Sequence, residues 1–197
     1  MSMYINMQYI SRKDLYDAGL TPYKINKLVA EDKLKVVNRN HFENLEYHGE
    51  INDFFAISAY APKGVICLTS AAIYHGLSTA RPLQIDVALP RKTRIPKSYE
   101  EIKIKYYLFT DERYDVGIET INEDNNQFKI YNKEKTVCDM LFYRNKLGFE
   151  PAIEVLKNYI NSSDRDINKL MEYANKLRCG KLLREYLEVM LWNLPHP

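Results

Sequence analysis

The first regular pattern of apolar and polar positions lies close to the amino terminus and is helical. Leu15 and Ala18 share one face of a short stretch that opens at Ser11, a residue type that caps helices through its hydroxyl. Asp14 follows three positions later and supplies the acidic half of a capping box. Gly19 stands where a helix end favours positive φ. The spacing predicts a short capped helix followed by a tight turn.

A second helix is predicted directly after this turn. Thr21 is a capping residue, and Pro22 at the first helical position gives up an N–H that has no partner there. The apolar positions that face inward recur at helical spacing: Ile25, Leu28 and Val29. The outward positions have the mixture expected on a recognition helix, with lysines for phosphates and amide or phenol groups for bases and sugars: Tyr23, Lys24, Asn26 and Lys27.

The pattern then changes to β-type residues on either side of a polar turn. Residues 34–37 and 42–47 have strand character, and Arg39 lies at the centre of the turn between them. Two helices followed by a hairpin is the order of a winged helix-turn-helix. We therefore predict a domain that binds duplex DNA, with phosphate contacts from the first helix, groove contacts from the second and one contact from the wing: Arg12, Lys13, Tyr23, Lys24, Asn26, Lys27 and Arg39.

The charge of this region favours DNA binding only modestly. Residues 24–39 contain five basic and two acidic side chains, whereas residues 1–47 contain seven and six. An amphipathic helix pair with a purely structural role has the same pattern. The whole chain carries a net charge of +2, so contact with nucleic acid depends on a local basic patch.

The rest of the chain alternates between short strands and turns before it becomes helical. Residues 64–68 form a short strand or lead into a helix, and Thr69 and Ser70 cap a short helix over residues 71–75. Strand-like stretches cover residues 84–90 and 102–109, and another pair at 117–121 and 127–131 flanks a polar turn. From residue 132 onward the apolar spacing is helical.

This order predicts an α+β protein with two domains. Residues 1–50 form the winged helix-turn-helix, and residues 51–64 are a linker or short helix. Residues 65–197 form a C-terminal domain in which a small, mainly antiparallel sheet is followed by a helical bundle.

A strongly basic segment separates two of the predicted strands. Residues 91–97 read RKTRIPK, with four basic side chains and no acidic one: Arg91, Lys92, Arg94 and Lys97. We predict an exposed hairpin or loop. It fits equally well a charged edge that protects a sheet from aggregation and a second patch for an anionic partner.

Composition excludes several classes of protein. With 46% hydrophobic residues in 197, the chain buries a sizeable core, and its three cysteines, without CxxC spacing, are expected to be reduced thiols. The sequence has no recognisable signal peptide and no apolar run of membrane-spanning length, so we expect a cytoplasmic protein that does not contact membranes.

No catalytic constellation is recognisable either. The four histidines are scattered, and phosphate-loop and nucleophile motifs do not occur. We expect no metal, no cofactor and no enzymatic activity. Asp86, within a strand-like stretch, is assigned a structural role rather than that of a nuclease metal ligand. Lys135 and Asp139 lie four residues apart and are expected to pair across one helical turn.

Residues 131–160 resemble the signature region of the AbiEi antitoxin family. The resemblance is carried by a Lys-Thr-Val-x-Asp start, an aromatic-Tyr-Arg element and a Glu-x-Leu helix: Lys135, Thr136, Val137, Asp139, Phe142, Tyr143, Arg144, Glu154 and Leu156. Residues 70–78 and 85–92 and the winged helix also look like the family's segments, in the same order. The helix that usually precedes the helix-turn-helix is short or absent here.

The resemblance implies an antitoxin of a bacterial abortive-infection toxin–antitoxin operon, a phage-defence system. The winged helix would bind inverted repeats in its own promoter as two copies, from a monomer or a dimer, and repress transcription. The C-terminal domain would counter a nucleotidyltransferase-type toxin, with direct contact left open, through a surface that includes four arginine or lysine residues: Arg144, Arg91, Lys92 and Arg94. The alternative is a ligand-responsive transcriptional regulator with a C-terminal sensing domain.

Overall fold

The computed structural model describes residues 6–96, 102–123 and 125–192. The N-terminal part contains five elements: strand β1 (Tyr9–Ser11), helix α1 (Arg12–Asp17), helix α2 (Pro22–Ala30), strand β2 (Leu34–Val36) and strand β3 (His41–Asn44). The strands form an antiparallel sheet in the order β1-β3-β2, so the hairpin β2–β3 is the wing. The fold of this part is the predicted winged helix-turn-helix.

Local signals explain where its two helices begin and turn. The Ser11 hydroxyl accepts from the N–H of Asp14, and the Asp14 carboxylate accepts from the N–H of Ser11, which completes the predicted capping box. Thr21 caps α2 by accepting from the N–H of Lys24 at 3.3 Å. Gly19, in the turn between the helices, has a φ of +81°, which disfavours any residue with a Cβ.

A small core holds the helices on the sheet. It is a cluster of five fully or almost fully buried apolar side chains, one from each element: Ile10, Leu15, Ile25, Leu34 and Phe42. Because each element contributes one large side chain, the relative placement of α2 and the wing is set by packing rather than by the turns alone.

Helix α3 (Asp53–Tyr60) follows the wing and is a packed element of the molecule. Phe55 and Tyr60 are buried in a cluster that also contains Tyr9 of β1, and the rings of Tyr9 and Tyr60 meet edge to face at 6.0 Å. The segment expected to be a linker or short helix therefore contains a helix that contacts both sides of the predicted boundary.

The second sheet has five strands: β4 (Val65–Ile66), β5 (Ile85–Pro90), β6 (Ile104–Phe109), β7 (Ile118–Glu123) and β8 (Asn126–Tyr131). Their order is β6-β5-β4-β8-β7. The β5–β6 and β4–β8 pairs are parallel, and the β4–β5 and β7–β8 pairs are antiparallel.

The α+β class agrees with the prediction, and the expectation of a mainly antiparallel sheet is corrected to a mixed sheet. The physical reason lies in the connections, because a parallel pair requires a crossover and cannot be closed by a hairpin. Consequently the basic segment after β5 is not a hairpin. Lys97 lies outside the described residues, and the other three basic residues of that segment are exposed: Arg91, Lys92 and Arg94.

Seven further helices accompany this sheet in the described part of the chain: α4 (Leu68–Tyr74), α5 (Asp111–Tyr114), α6 (Lys133–Phe142), α7 (Arg144–Leu147), α8 (Phe149–Asn161), α9 (Ile167–Lys176) and α10 (Gly180–Trp192). Alternate strand residues face opposite layers. Val87 and Phe128 pack in the cluster that contains α3, whereas Ala88 and Tyr131 pack in the cluster that contains α6 and α8.

Helix α6 ends earlier than the sequence predicts. Apolar spacing favours one helix over residues 133–146, but the structure ends α6 at Phe142 and starts the short α7 at Arg144. Tyr143 separates them, and its ring is stacked on Phe109 of β6 with centroids 5.7 Å apart. Among the helices described, none combines the length and apolarity that crossing a bilayer requires.

Candidate nucleic-acid interface

Helix α2 presents a polar face to solvent, and its opposite face is anchored in the core. Ile25 is fully buried, whereas Tyr23 is 78% exposed. The other three predicted contact residues of the helix are also exposed: Lys24, Asn26 and Lys27. The four side chains therefore lie on the accessible part of the helix, with the tyrosine and the first lysine near its N-terminus, where recognition helices contact bases and phosphates.

Surface ion pairs offset part of the positive charge beside this face. Lys27 lies 3.7 Å from Glu31 along α2, and Lys33 lies 3.6 Å from the same carboxylate. Lys35 on β2 lies 3.7 Å from Glu43 on β3. Exposed pairs of this kind are weak, so phosphates can compete for the lysines. Within the described part of the chain, no carboxylate lies within ion-pair distance of Lys24.

The wing tip is held by a side chain that the sequence analysis treated only as part of a turn. The Asn38 side-chain oxygen accepts from the N–H groups of Asn40 and His41 at 2.9 and 3.0 Å. Its amide nitrogen donates to the carbonyl of Ala59 in α3 at 2.8 Å. Asn38 thus fixes the turn and anchors the wing to the following helix, while Arg39 remains exposed.

The Arg12 side chain makes intramolecular contacts. Its Nε donates to the Arg39 carbonyl at 3.0 Å, and its guanidinium lies 5.0 Å from the centre of the Phe42 ring. Arg12 therefore joins the start of α1 to the wing tip, in addition to the phosphate contact predicted for it. Its neighbour Lys13 is exposed.

His41, at the start of β3, contributes little to the positive charge of this face. Burial lowers its pKa from the ordinary value of 6.5, and the nearby Asp14 carboxylate opposes this effect only in part. The positive charge of this face therefore comes mainly from lysine and arginine.

The residues assigned to an antitoxin surface differ in their exposure. The three basic residues that follow β5 are exposed, as stated above. Arg144 is half-buried, and its guanidinium donates to the Leu141 carbonyl at 3.1 Å, near the C-terminal end of α6. Arg144 therefore has a clear structural use, as a cap of a helix end.

The motif lysine and aspartate of residues 131–160 belong to a buried ion cluster. Lys135 and Asp139 are fully buried and paired, as their spacing predicts. Arg113 of α5, which the sequence analysis missed, donates to the same carboxylate and to the Leu177 carbonyl, the latter at 2.8 Å. Burial lowers the pKa of Lys135, and Asp139 opposes that shift. The cluster joins α5, α6 and the end of α9.

Two further carboxylates lie where separate segments of the chain meet. Glu154 of α8 accepts from the Ser78 hydroxyl and from the N–H of Thr79. Asp86 of β5 is 4% exposed; burial raises its pKa, while the nearby Lys105 ammonium and Thr69 oppose this shift. The N–H of Asp86 donates to the Ser70 hydroxyl at 2.9 Å, which ties β5 to helix α4.

Comparison of the sequence with protein-family models and with curated proteins finds no match. Among solved structures, the RV2827C protein from Mycobacterium tuberculosis is similar, with a TM-score of 0.53 and 15% sequence identity. The alignment covers 90% of this chain and 71% of that chain. At 15% identity, this similarity concerns the fold alone.

Proposed function

We propose that this protein is a DNA-binding repressor that acts on its own operon. The observation that carries the proposal is the geometry of α2: a capped helix, held by one buried isoleucine, whose accessible face carries Tyr23, Lys24, Asn26 and Lys27. The wing beside it presents Arg39 from a turn that Asn38 holds in place.

In this proposal α2 enters the major groove and the wing contacts the neighbouring backbone or minor groove. Lys24 and Lys27 neutralise phosphates, which contributes affinity without sequence information. Asn26 and Tyr23 contact base edges or sugars near the helix N-terminus. Two copies occupy an inverted repeat in the promoter, because an operator read by two identical helices mirrors their symmetry, with half-sites about 34–36 Å apart.

We further propose that residues 65–197 supply antitoxicity in the cytoplasm against a nucleotidyltransferase-type toxin. The support is the resemblance of residues 131–160 to the AbiEi signature. Arg91, Lys92 and Arg94 are exposed and offer an anionic partner a basic surface. A ligand-responsive regulator is the second candidate, and a basic cavity in the same part of the chain favours it, as described in the next subsection.

The DNA-binding proposal is tested with the double variant Lys24→Ala/Lys27→Ala. We expect weaker binding to a promoter fragment and a salt dependence of log K that is flatter by about 1.8 for each bound copy, since each lost phosphate contact removes about 0.9 from the slope. The measurement is fluorescence anisotropy at several salt concentrations. Promoter repression should fall in the same variant, while protection of cells from the toxin should persist.

A matched control changes two exposed helical lysines elsewhere, Lys157→Ala/Lys181→Ala. Lys181 pairs with Glu185 four residues on, as Lys27 does with Glu31. The control should bind the fragment as the wild type does. Equal binding by a folded Lys24→Ala/Lys27→Ala protein would overturn the assignment of α2.

A further inference from the structure

A cavity of about 470 Å³ opens where β6, α5, α6 and α9 meet, well away in sequence from the winged helix. Its size lies in the lower part of the roughly 300–1,000 Å³ range of small-molecule sites. Three of the side chains that line it are cationic and come from two different regions of the chain: Arg113, Lys176 and Arg178. Glu112 is the carboxylate among the lining residues.

The buried ion cluster beneath this cavity has one carboxylate, Asp139, which pairs with both Lys135 and Arg113. Arginine keeps its proton in proteins, so Arg113 stays cationic, whereas burial lowers the pKa of Lys135. Arg113 is 7% exposed and lines the cavity, where its charge acts in surroundings of low dielectric. An anion in the cavity would be attracted to this guanidinium and to Lys176 and Arg178, which together outnumber the single carboxylate of Glu112.

Aromatic side chains form another wall. Phe142 and Tyr143 line the cavity, and their rings meet edge to face at 5.1 Å. The Arg113 guanidinium lies 3.7 Å from the centre of the Phe142 ring, yet Phe142 remains 44% exposed. A planar group can therefore cover apolar surface that water now contacts.

Arg178 occupies a backbone position that usually selects glycine. Helix α9 ends at Lys176, Leu177 is its cap, and Arg178 follows with a φ of +62°. The N–H of Cys179 closes the turn on the Ala174 carbonyl at 2.9 Å, the pattern in which glycine or asparagine normally takes the left-handed position. This left-handed position therefore carries a long cationic side chain that lines the cavity.

We propose that this cavity binds a small phosphate ester of a planar ring, the chemical class of nucleoside monophosphates. Lys176 and Arg178 contact the phosphate. Arg113 adds a positive charge to the wall of the cavity, and the ring of the ligand lies against Phe142. Such a ligand would bind the C-terminal part of the chain independently of DNA, and the inference rests on the second candidate function above, the ligand-responsive regulator, for which it names the class of ligand.

The test is isothermal titration calorimetry of the full chain with the four common ribonucleoside 5′-monophosphates and with inorganic phosphate. We expect at least one nucleotide to bind at least tenfold more tightly than inorganic phosphate. In the Lys176→Ala/Arg178→Gly variant, the affinity of the protein for that nucleotide should fall at least tenfold. The melting temperature should stay the same or rise, because glycine adopts the left-handed backbone conformation without strain.

The matched control is Asp32→Gly, which makes the same backbone change after α2, where Asp32 has a φ of +52°. It should bind the nucleotide as the wild type does. The Lys24→Ala/Lys27→Ala variant should also bind the nucleotide normally, and this result would distinguish nucleotide binding from DNA binding. The inference is overturned by no nucleotide binding at millimolar concentration, by binding no tighter than that of inorganic phosphate, or by unchanged affinity in the Lys176→Ala/Arg178→Gly variant.

Discussion

At the scale of single residues, Asp139 holds a buried cluster of charged side chains together. It is a fully buried carboxylate that receives hydrogen bonds from Lys135, one helical turn before it, and from Arg113 on α5. The Lys135 ammonium also lies 4.0 Å from the centre of the Tyr131 ring, which faces it from the sheet. Removing the carboxylate leaves two buried groups with no countercharge, and desolvated charges without a partner are strongly destabilising.

We predict that Asp139→Ala lowers the free energy of unfolding by about 3–5 kcal/mol, the range for breaking a buried ion pair by removal of one partner. Urea denaturation followed by circular dichroism measures the change. Glu172→Ala, an exposed carboxylate on α9, is the control and should stay within about 0.5 kcal/mol of the wild type. A loss under about 1 kcal/mol in Asp139→Ala would show that water reaches the cluster or that it rearranges.

At the scale of elements, α2 depends on its cap and on the core below it. Nine residues are too few for a helix that is stable by itself in water. Thr21 satisfies one of its free N–H groups, and Ile25 anchors it to the sheet. The face proposed to contact DNA is thus positioned by residues that do not contact DNA themselves.

Replacing Thr21 by alanine should therefore destabilise the protein by about 1 kcal/mol, within the range of about 0.5–2 kcal/mol for lost N-caps. Thr21→Ser keeps the hydroxyl and should retain most of that stability. Urea denaturation of both variants provides the measurement. Equal losses for alanine and serine would mean that the threonine methyl group, and not the cap, stabilises α2.

At the scale of the whole molecule, the winged helix is joined to the five-stranded sheet by direct contacts. The N–H of Gln8 donates to the side-chain oxygen of Asn126 in β8 at 2.6 Å, and the Gln8 side chain accepts from the N–H of Asn52 at 3.1 Å. Tyr9 packs in the same cluster as Phe128 of that sheet. The N-terminal elements are therefore stabilised by residues more than a hundred positions away.

We predict that Asn126→Ala loosens this junction selectively. Amide hydrogen exchange should become faster in β1, α2 and β3 and stay unchanged in α6, because local opening follows the contacts that hold each unit. Gln127→Ala, an exposed neighbour on the same strand, is the control and should exchange as the wild type does. Uniformly faster exchange throughout the chain would show that the two parts open together.

The amino-acid sequence by itself determined the local elements. Ser11, Thr21 and Gly19 predicted the helix starts and the turn of the winged helix, because caps and positive φ depend on neighbours within a few residues. The Lys135–Asp139 pair was predictable for the same reason, since both lie on one helix.

Only the tertiary structure decided which distant segments meet. Apolar alternation identifies a strand but carries no information about its partner, so the parallel β5–β6 pair could not be foreseen. The same holds for Arg113, which reaches Asp139 across 26 positions, and for the cavity that Arg178 borders. Side chains far apart in sequence are brought together by burial of a shared core, and that packing exists only once the chain has folded.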